Sequence, residues 1–165
     1  MAATPRVAAV LLPVVYTGDE CRIVFTKRVR GLNHHGGEVS FPGGQMDSDD
    51  GTLEYTALRE TDEEIGVAPD NIEILGTLDD ELSKMGHRVT PFVGLLKSTD
   101  FTIQESEVDK VYKIPVNHLN SSNNYYCETW IRQGERRDVH FYRYENDIVW
   151  GLTARVLYRF LQIIR

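Results

Sequence analysis

Apolar residues, many of them β-branched, recur along this chain in short runs: Val7 to Tyr16, Arg22 to Thr26, Glu38 to Phe41, Ile72 to Leu78, Arg88 to Leu96 and Val108 to Ile114. Runs of this length and composition predict strands. Gly18-Asp19 predicts a hairpin turn between the first two. The tract from Tyr125 through Tyr144, with turn residues at Gly134-Glu135, predicts a further hairpin. Two stretches carry the helical period instead: Thr52 to Ile65, closed by Gly66 at a C-cap position, and Gly151 to the C-terminus. Strands, one internal helix, more strands and a terminal helix predict a mixed sheet packed between helices rather than a regular βαβ series. No repeat, low-complexity tract or long Pro/Gly/Ser linker divides the chain, so residues 1–165 are expected to form a single domain.

Composition narrows the chemistry. With 41% hydrophobic and 26% charged residues the chain reads as a globular protein, neither disordered nor membrane-spanning. The run from Val7 to Val15, interrupted by Pro13, is too short to cross a bilayer and lacks the flanks of a signal peptide, so a cytoplasmic location is expected. A formal net charge of −7 disfavours nucleic acid polymers and anionic membranes as partners. An anionic substrate then needs a local positive feature, such as a bound metal ion. The two cysteines, Cys21 and Cys127, lie far apart without metal-ligand spacing, which fits reduced thiols better than a disulfide or a zinc site.

The most informative stretch is Arg59-Glu60-Thr61-Asp62-Glu63-Glu64-Ile65-Gly66-Val67. At helical spacing Leu53, Ala57, Glu60 and Glu64 share one stripe, with Glu63 beside it, so the acidic residues continue a core-facing seam. A solvated acidic face belongs opposite the apolar stripe. Glu60 and Glu64, four residues apart, also repel one another unless a cation lies between them. The cluster therefore points to Mg²⁺ or Mn²⁺, hard cations that bind a few carboxylates together with substrate phosphates. The other reading, a merely solvated charge run, is weakened by what precedes the helix. There an apolar strand ends in Phe41-Pro42-Gly43-Gly44, whose glycines permit close approach of backbone to a ligand, followed by an acidic loop through Asp47 and Asp50.

The segment Gly44 to Val67 resembles the Nudix box, the signature of Nudix hydrolases, and matches it at Arg59, Glu60, Glu63, Glu64, Gly66 and Val67. The loop Asp47-Ser48-Asp49-Asp50-Gly51 departs from the usual box by its acidic composition and one extra residue. That variation, with Thr26-Lys27-Arg28 and Gly37-Glu38-Val39-Ser40-Phe41-Pro42-Gly43-Gly44, resembles the coenzyme A pyrophosphatase branch, and the likeness continues through Thr90 to Gly94, Glu107-Val108 and Gly151-Leu152-Thr153-Ala154. At positions where branch members carry Ser and a second Arg, Val29 and Asn33 stand here, with Arg30 nearby to compensate.

The resemblance implies an α/β (α+β) fold, a Nudix-like α/β/α sandwich with a mixed β-sheet between helices. It implies a pyrophosphatase, a hydrolase acting on phosphoric anhydride bonds. The substrate implied is coenzyme A or an acyl-coenzyme A, giving adenosine 3′,5′-bisphosphate and (acyl) 4′-phosphopantetheine. Glu60 and Glu64 match metal-binding glutamates, Glu63 a further member of the cluster, Gly44 a backbone carbonyl ligand, and Arg59 an arginine that orients the acidic side chains. A general base is needed as well, and Glu60, Glu63 and Glu107 are the candidates. Arg28, Lys27 and Arg30 are candidates for substrate phosphates, with surface charge as the alternative. His34 and His35 read as loop residues outside the chemistry. Tyr125, Tyr126, Trp130, Tyr142 and Trp150 either stack on a base or fill the core.

Three function classes stay open: the coenzyme A enzyme, a Nudix pyrophosphatase for ADP-ribose, dinucleotides or nucleoside triphosphates, and a silent nucleotide-binding domain. An intact acidic cluster favours the enzymes. A homodimer is expected only from the commonness of such assemblies.

Overall fold

In β1 (Val7–Thr17), Ala8, Ala9, Leu11, Leu12, Val14 and Val15 are all buried, so the strand is covered on both faces and lies at the centre of a sheet. The computed structural model describes residues 6–31 and 36–165. In chain order the further elements are β2 (Glu20–Arg28), β3 (Val39–Ser40), β4 (Gly43–Gln45), α1 (Leu53–Ile65), β5 (Ile72–Thr77), β6 (Glu81–Leu82), β7 (Arg88–Leu96), β8 (Val108–Pro115), a four-residue α2 (Val116–Leu119), β9 (Tyr125–Arg132), β10 (Glu135–Tyr144), β11 (Asp147–Trp150) and α3 (Gly151–Ile163).

Among the described residues eight strands form one sheet with the path β3-β2-β1-β7-β5, while β4 joins β1, β6 joins β7 and β8 joins β2. The β1–β7 pair is parallel and the other pairs are antiparallel, which makes the sheet mixed. Pro13 is tolerated in this central strand for a local reason. Along the edge of β1 away from β7, β4 pairs Ala8 to Val10 and β2 pairs Val14 to Thr17. The Leu11 N–H bonds the Pro42 carbonyl on that edge, so the missing N–H of Pro13, two residues on, falls where the partners diverge.

Each face of the sheet carries one long helix. Ala57 and Ile65 of α1 pack with Ala9, Leu11, Val15 and Val24. On the other face Ala154, Leu157, Phe160 and Leu161 of α3 pack with Leu12, Val14, Ile23 and Phe25, and with Tyr142 and Val149 from a second sheet ordered β11-β10-β9. Full burial of a leucine contributes about 2 kcal/mol, and Leu157 and Leu161 are both buried in the cluster that α3 shares with the two sheets.

The fold matches the expected α/β/α architecture and refines it in four places. The Glu38 to Phe41 strand shortens to Val39–Ser40, paired with Thr26 and Lys27. Gly43-Gly44, read as a turn, is a strand paired to Val10 and Ala9. The second hairpin turns at Gln133-Gly134, both with positive φ (53° and 81°), and Glu135 already pairs with Arg132. Its two-residue loop suits the right-handed twist of the flanking strands. β11 was not foreseen; a tight turn with Glu145 at φ 52° starts it. The Gly18-Asp19 hairpin turn is found as expected, with Thr17 paired to Glu20. No helix among the described residues is long and apolar enough to cross a membrane.

Candidate active site

Local sequence fixes both ends of α1. The Thr52 hydroxyl accepts from the Tyr55 N–H at 3.1 Å, and Gly66, at φ 70°, closes the helix by donating to the Asp62 carbonyl at 2.8 Å. Thr102 packs against Gly66 so closely that a Cβ there would lie 2.9 Å from its carbonyl oxygen. The Gln104 N–H bonds the Glu64 carbonyl at 3.0 Å, which draws the segment leading to Glu107 across the helix end.

Arg59 organises the helix surface. Its Nε and Nη2 donate to the two oxygens of Asp50 at 2.7 and 2.9 Å, while Nη1 donates to Glu60 at 3.1 Å and to Glu63 at 3.2 and 3.3 Å. Asp50 is buried and also accepts from the Asp47 N–H at 2.9 Å and the Thr56 hydroxyl at 2.8 Å. The Arg59 guanidinium, against the cost of burial, holds the Asp50 carboxyl well below the usual carboxylate range, and Asp50 in turn raises the arginine's affinity for its proton. The acidic loop thus contains the anchor of the orienting arginine. Sequence reading noticed the loop without separating Asp50 from its neighbours.

The seam reading holds for Glu64, which is 3% exposed, and for Glu60, whose side chain is 17% exposed; Glu63 lies outward at 57%. Glu64 receives only a long contact, 3.5 Å, from the Gly43 N–H, and no ion pair to it is formed among the described residues. Burial first, then the Glu60 charge, pushes its carboxyl up to about 8, opposed by the Gly43 N–H and the positive charge of Arg28. Burial also raises Glu60, with further raising contributions from Glu63 and Glu107. Glu107 is exposed, and its negative charge contributes to raising both Glu60 and Glu64. Gly44 lies against Glu60: a Cβ at residue 44 would sit 2.4 Å from Oε1. The two glycines therefore let the carboxylates approach the β4 backbone. Among the described residues no three His, Cys, Asp or Glu side chains are gathered as a ready metal cage. Arg59 holds Glu60 and Glu63 while Glu64 stands apart.

The basic candidates have different surroundings, and the pairing of β2 with β8 is irregular between Lys27 and Arg28. Arg28 lines a cavity of about 270 Å³ together with Phe41, Gly43, Gly44 and Trp150, and its buried Nε has no hydrogen-bond partner among the described residues. Lys27 binds Asp147 at 3.0 Å, where Tyr112 also donates to the same carboxylate oxygen. Of the two neighbours, Lys27 thus has an acidic partner within the fold, while Arg28 lines the cavity. Arg30 is exposed, its stem over Gly37 in the turn after β2. Asn33, His34 and His35 lie outside the described residues.

A larger cavity, about 670 Å³, lies along the second sheet, lined by Trp130, Arg132, Arg137 and His140 among others. Ser83, Lys84, Trp150, Gly151 and Leu152 line both cavities, so the two meet there. Of the aromatic candidates, Tyr142 is core, while Trp130 is 44% exposed on the larger cavity and Trp150 borders both. Lys84, which no motif singled out, places its ammonium 4.4 Å over the Trp150 ring.

Comparison with known proteins agrees with this geometry. The NUDIX domain profile matches residues 4–145. A protein of Photorhabdus laumondii named uncharacterized Nudix hydrolase NudL is 35% identical over 161 residues, covering 97% of this chain and 86% of that protein. Its Yersinia pestis (strain Pestoides F) namesake is 38% identical over 156 residues, covering 94% and 78%. Among solved structures, a MutT/nudix family protein from Enterococcus faecalis superposes with a TM-score of 0.65 over 99% of this chain and 64% of that one, at 15% identity. The NUDIX domain of Shewanella oneidensis NrtR, complexed with ADP ribose, gives 0.56 over 69% and 75%, at 23% identity. At such identities these structures establish a shared fold.

Proposed function

The chain belongs to the Nudix hydrolase family and is a pyrophosphatase for a nucleoside diphosphate derivative, and on that premise we propose that it cleaves coenzyme A or an acyl-coenzyme A. The products are adenosine 3′,5′-bisphosphate and (acyl) 4′-phosphopantetheine. One observation carries the choice of substrate. Arg28, Glu38 to Gly44 without Pro42, and Gly151 to Thr153, the separate segments that resemble the coenzyme A branch, line the same 270 Å³ cavity beside Glu60 and Glu64. The free thiols Cys21 and Cys127 support a cytoplasmic location.

The residues fit a divalent cation. Glu64 is a buried carboxylate with no cationic side chain bonded to it among the described residues, Glu60 lies one helical turn away, and Gly44 leaves room at the Glu60 carboxylate where any side chain would collide. Glu60, Glu64, Glu63 and the Gly44 carbonyl are the proposed ligands, an all-oxygen set suited to Mg²⁺ or Mn²⁺. Bound there, the ion supplies charge neutralisation on the phosphoryl oxygens and acidifies the attacking water.

In the reaction a water oxygen attacks one phosphorus, the bridging P–O bond breaks, and the bridging oxygen leaves on the other phosphate. Arg28 holds a non-bridging oxygen of the diphosphate, a task suited to a guanidinium with an unused donor. Glu107, with Glu60 and Glu63 as the alternatives, takes the proton from water; its exposure leaves it open to solvent, and its charge acts on the carboxylate pair. Arg59, fixed by Asp50, positions Glu60 and Glu63.

Product formation from coenzyme A, ADP-ribose, NADH, diadenosine polyphosphates and nucleoside triphosphates, with Mg²⁺ or Mn²⁺ and a Glu64→Gln control, tests this reading. Coenzyme A turnover lost in the control is the expected result. Preference for another compound keeps the reaction and replaces the substrate.

A further inference from the structure

The first turn of α3 borders the cavity next to the reaction centre, and it has no side-chain cap: Trp150 occupies the N-cap position and contributes no hydrogen bond. The N–H groups of a helix's first turn point outward with the positive end of its dipole, an arrangement that favours an anion. A second observation points the same way. Thr153, in that first turn, is 8% exposed, lines the cavity, and its hydroxyl has no partner among the described residues. Its hydroxyl is thus open to the cavity and able to donate to an oxyanion there. Lys84 stands opposite on the β6–β7 connection, exposed, with no acidic partner among the described residues and its ammonium over Trp150.

Position gives the ligand its identity. Lys84, Gly151 and Leu152 line both cavities, so an anion held here lies between the carboxylate cluster and the larger, tryptophan-walled space. Trp130 and Trp150 stand 6.2 Å apart there, and Arg132 has no ion-pair partner among the described residues. Such a site is separate from the scissile diphosphate and adjoins a wall able to stack a base.

We propose that the uncapped N-terminus of α3, Thr153 and Lys84 form a subsite for a phosphate monoester carried on the nucleoside part of the substrate. The proposal rests on the coenzyme A reading for its biological meaning, because that substrate carries such a monoester at the 3′ position. Thr153 and the α3 amides bind the phosphate oxygens by hydrogen bonds and Lys84 pairs with its charge.

Calorimetric titration of the full chain with adenosine 3′,5′-bisphosphate and with adenosine 5′-monophosphate tests it, using wild type, Thr153→Val, Thr153→Ser and Lys84→Gln. The expected result is a preference of about tenfold or more for the bisphosphate in wild type, the size of a charge-assisted contact. That preference collapses to within about threefold in Thr153→Val and Lys84→Gln and survives in Thr153→Ser. Lys84 is exposed, so its variant folds whether or not the buried Thr153→Val does. Equal affinities in wild type, or a preference that Lys84→Gln does not move, overturns the subsite. The two readings fail separately: bisphosphate preference without coenzyme A turnover removes the substrate assignment and keeps the subsite, and turnover without preference does the reverse.

Discussion

Arg59 and Asp50 meet in a two-pronged pair, Nε to Oδ1 at 2.7 Å and Nη2 to Oδ2 at 2.9 Å, with the Asp50 side chain 2% exposed. Removing the charge from such a pair strands the other member. Asp50→Asn is therefore expected to cost about 3 kcal/mol of unfolding free energy, read by urea titration. It also lowers turnover, because Arg59 no longer holds Glu60 and Glu63 in register.

The same pair predicts an acid dependence. Asp50 titrates near pH 4 in the unfolded chain, about the ordinary value, and well below it when folded. Its stabilisation is thus complete above pH ~4 and is lost as pH falls through the folded-state value. The stability gap between wild type and Asp50→Asn should narrow steadily below pH ~4. A gap that stays constant on acidification would contradict the assigned pairing.

Gly43 and Gly44 are neighbours that fail differently when given a methyl group. At residue 44 the new Cβ meets the flexible end of Glu60, so Gly44→Ala should fold and lose at least about a hundredfold in kcat, as a displaced catalytic group does. At residue 43 it meets backbone, the Ala9 carbonyl oxygen at 2.4 Å and the Val10 Cα at 2.7 Å, so Gly43→Ala should lower the melting temperature. Thermal unfolding of both variants beside their kinetics checks the contrast.

Glu64 is buried with no ion-pair partner among the described residues, and burial pushes its carboxyl up to about 8, so below that pH folding must protonate it, a cost that glutamine does not carry. Glu64→Gln should melt higher than wild type in chelator. Added Mn²⁺ should then stabilise wild type and leave the variant's melting temperature where it was, since binding stabilises only the state that holds the ligand. A variant that melts lower in chelator and responds fully to Mn²⁺ would exclude Glu64 as a ligand.

Adjacent residues on β2 are expected to differ in role. Arg28→Ala should raise KM by roughly tenfold to a hundredfold, the worth of one charged hydrogen bond, with little change in stability. Lys27→Ala should act on stability, by about 1 to 2 kcal/mol, through its lost bond to Asp147. A KM effect confined to Lys27→Ala would reverse the two roles.

Sequence periodicity was most informative where one helix carried the signal. Arg59, Glu60, Glu63 and Glu64 share a surface because helical geometry leaves no other arrangement, and the caps at Thr52 and Gly66 fixed that helix's ends. Asp50 could not be distinguished from Asp47 and Asp49 in a loop, since burial against Thr56 and Arg59 selects it only in three dimensions. Lys27 and Arg28 form one basic motif in the sequence, and only the folded chain gives Lys27 its bond to Asp147 and Arg28 its place on the cavity. Lys84 was invisible because nothing local marks it; Trp150, 66 residues later, gives it a place. β11 escaped because four residues after a tight turn carry too little periodicity to register.

The Lys27–Asp147–Tyr112 junction ties the three-stranded sheet to the large one by side chains, while α1 and its glycine floor belong wholly to the large sheet. The carboxylate helix and the outer wall of the larger cavity are consequently built from different stretches of chain. On the proposed reading, exchanging 125–150 between relatives should change the compound accepted and leave hydrolysis in place.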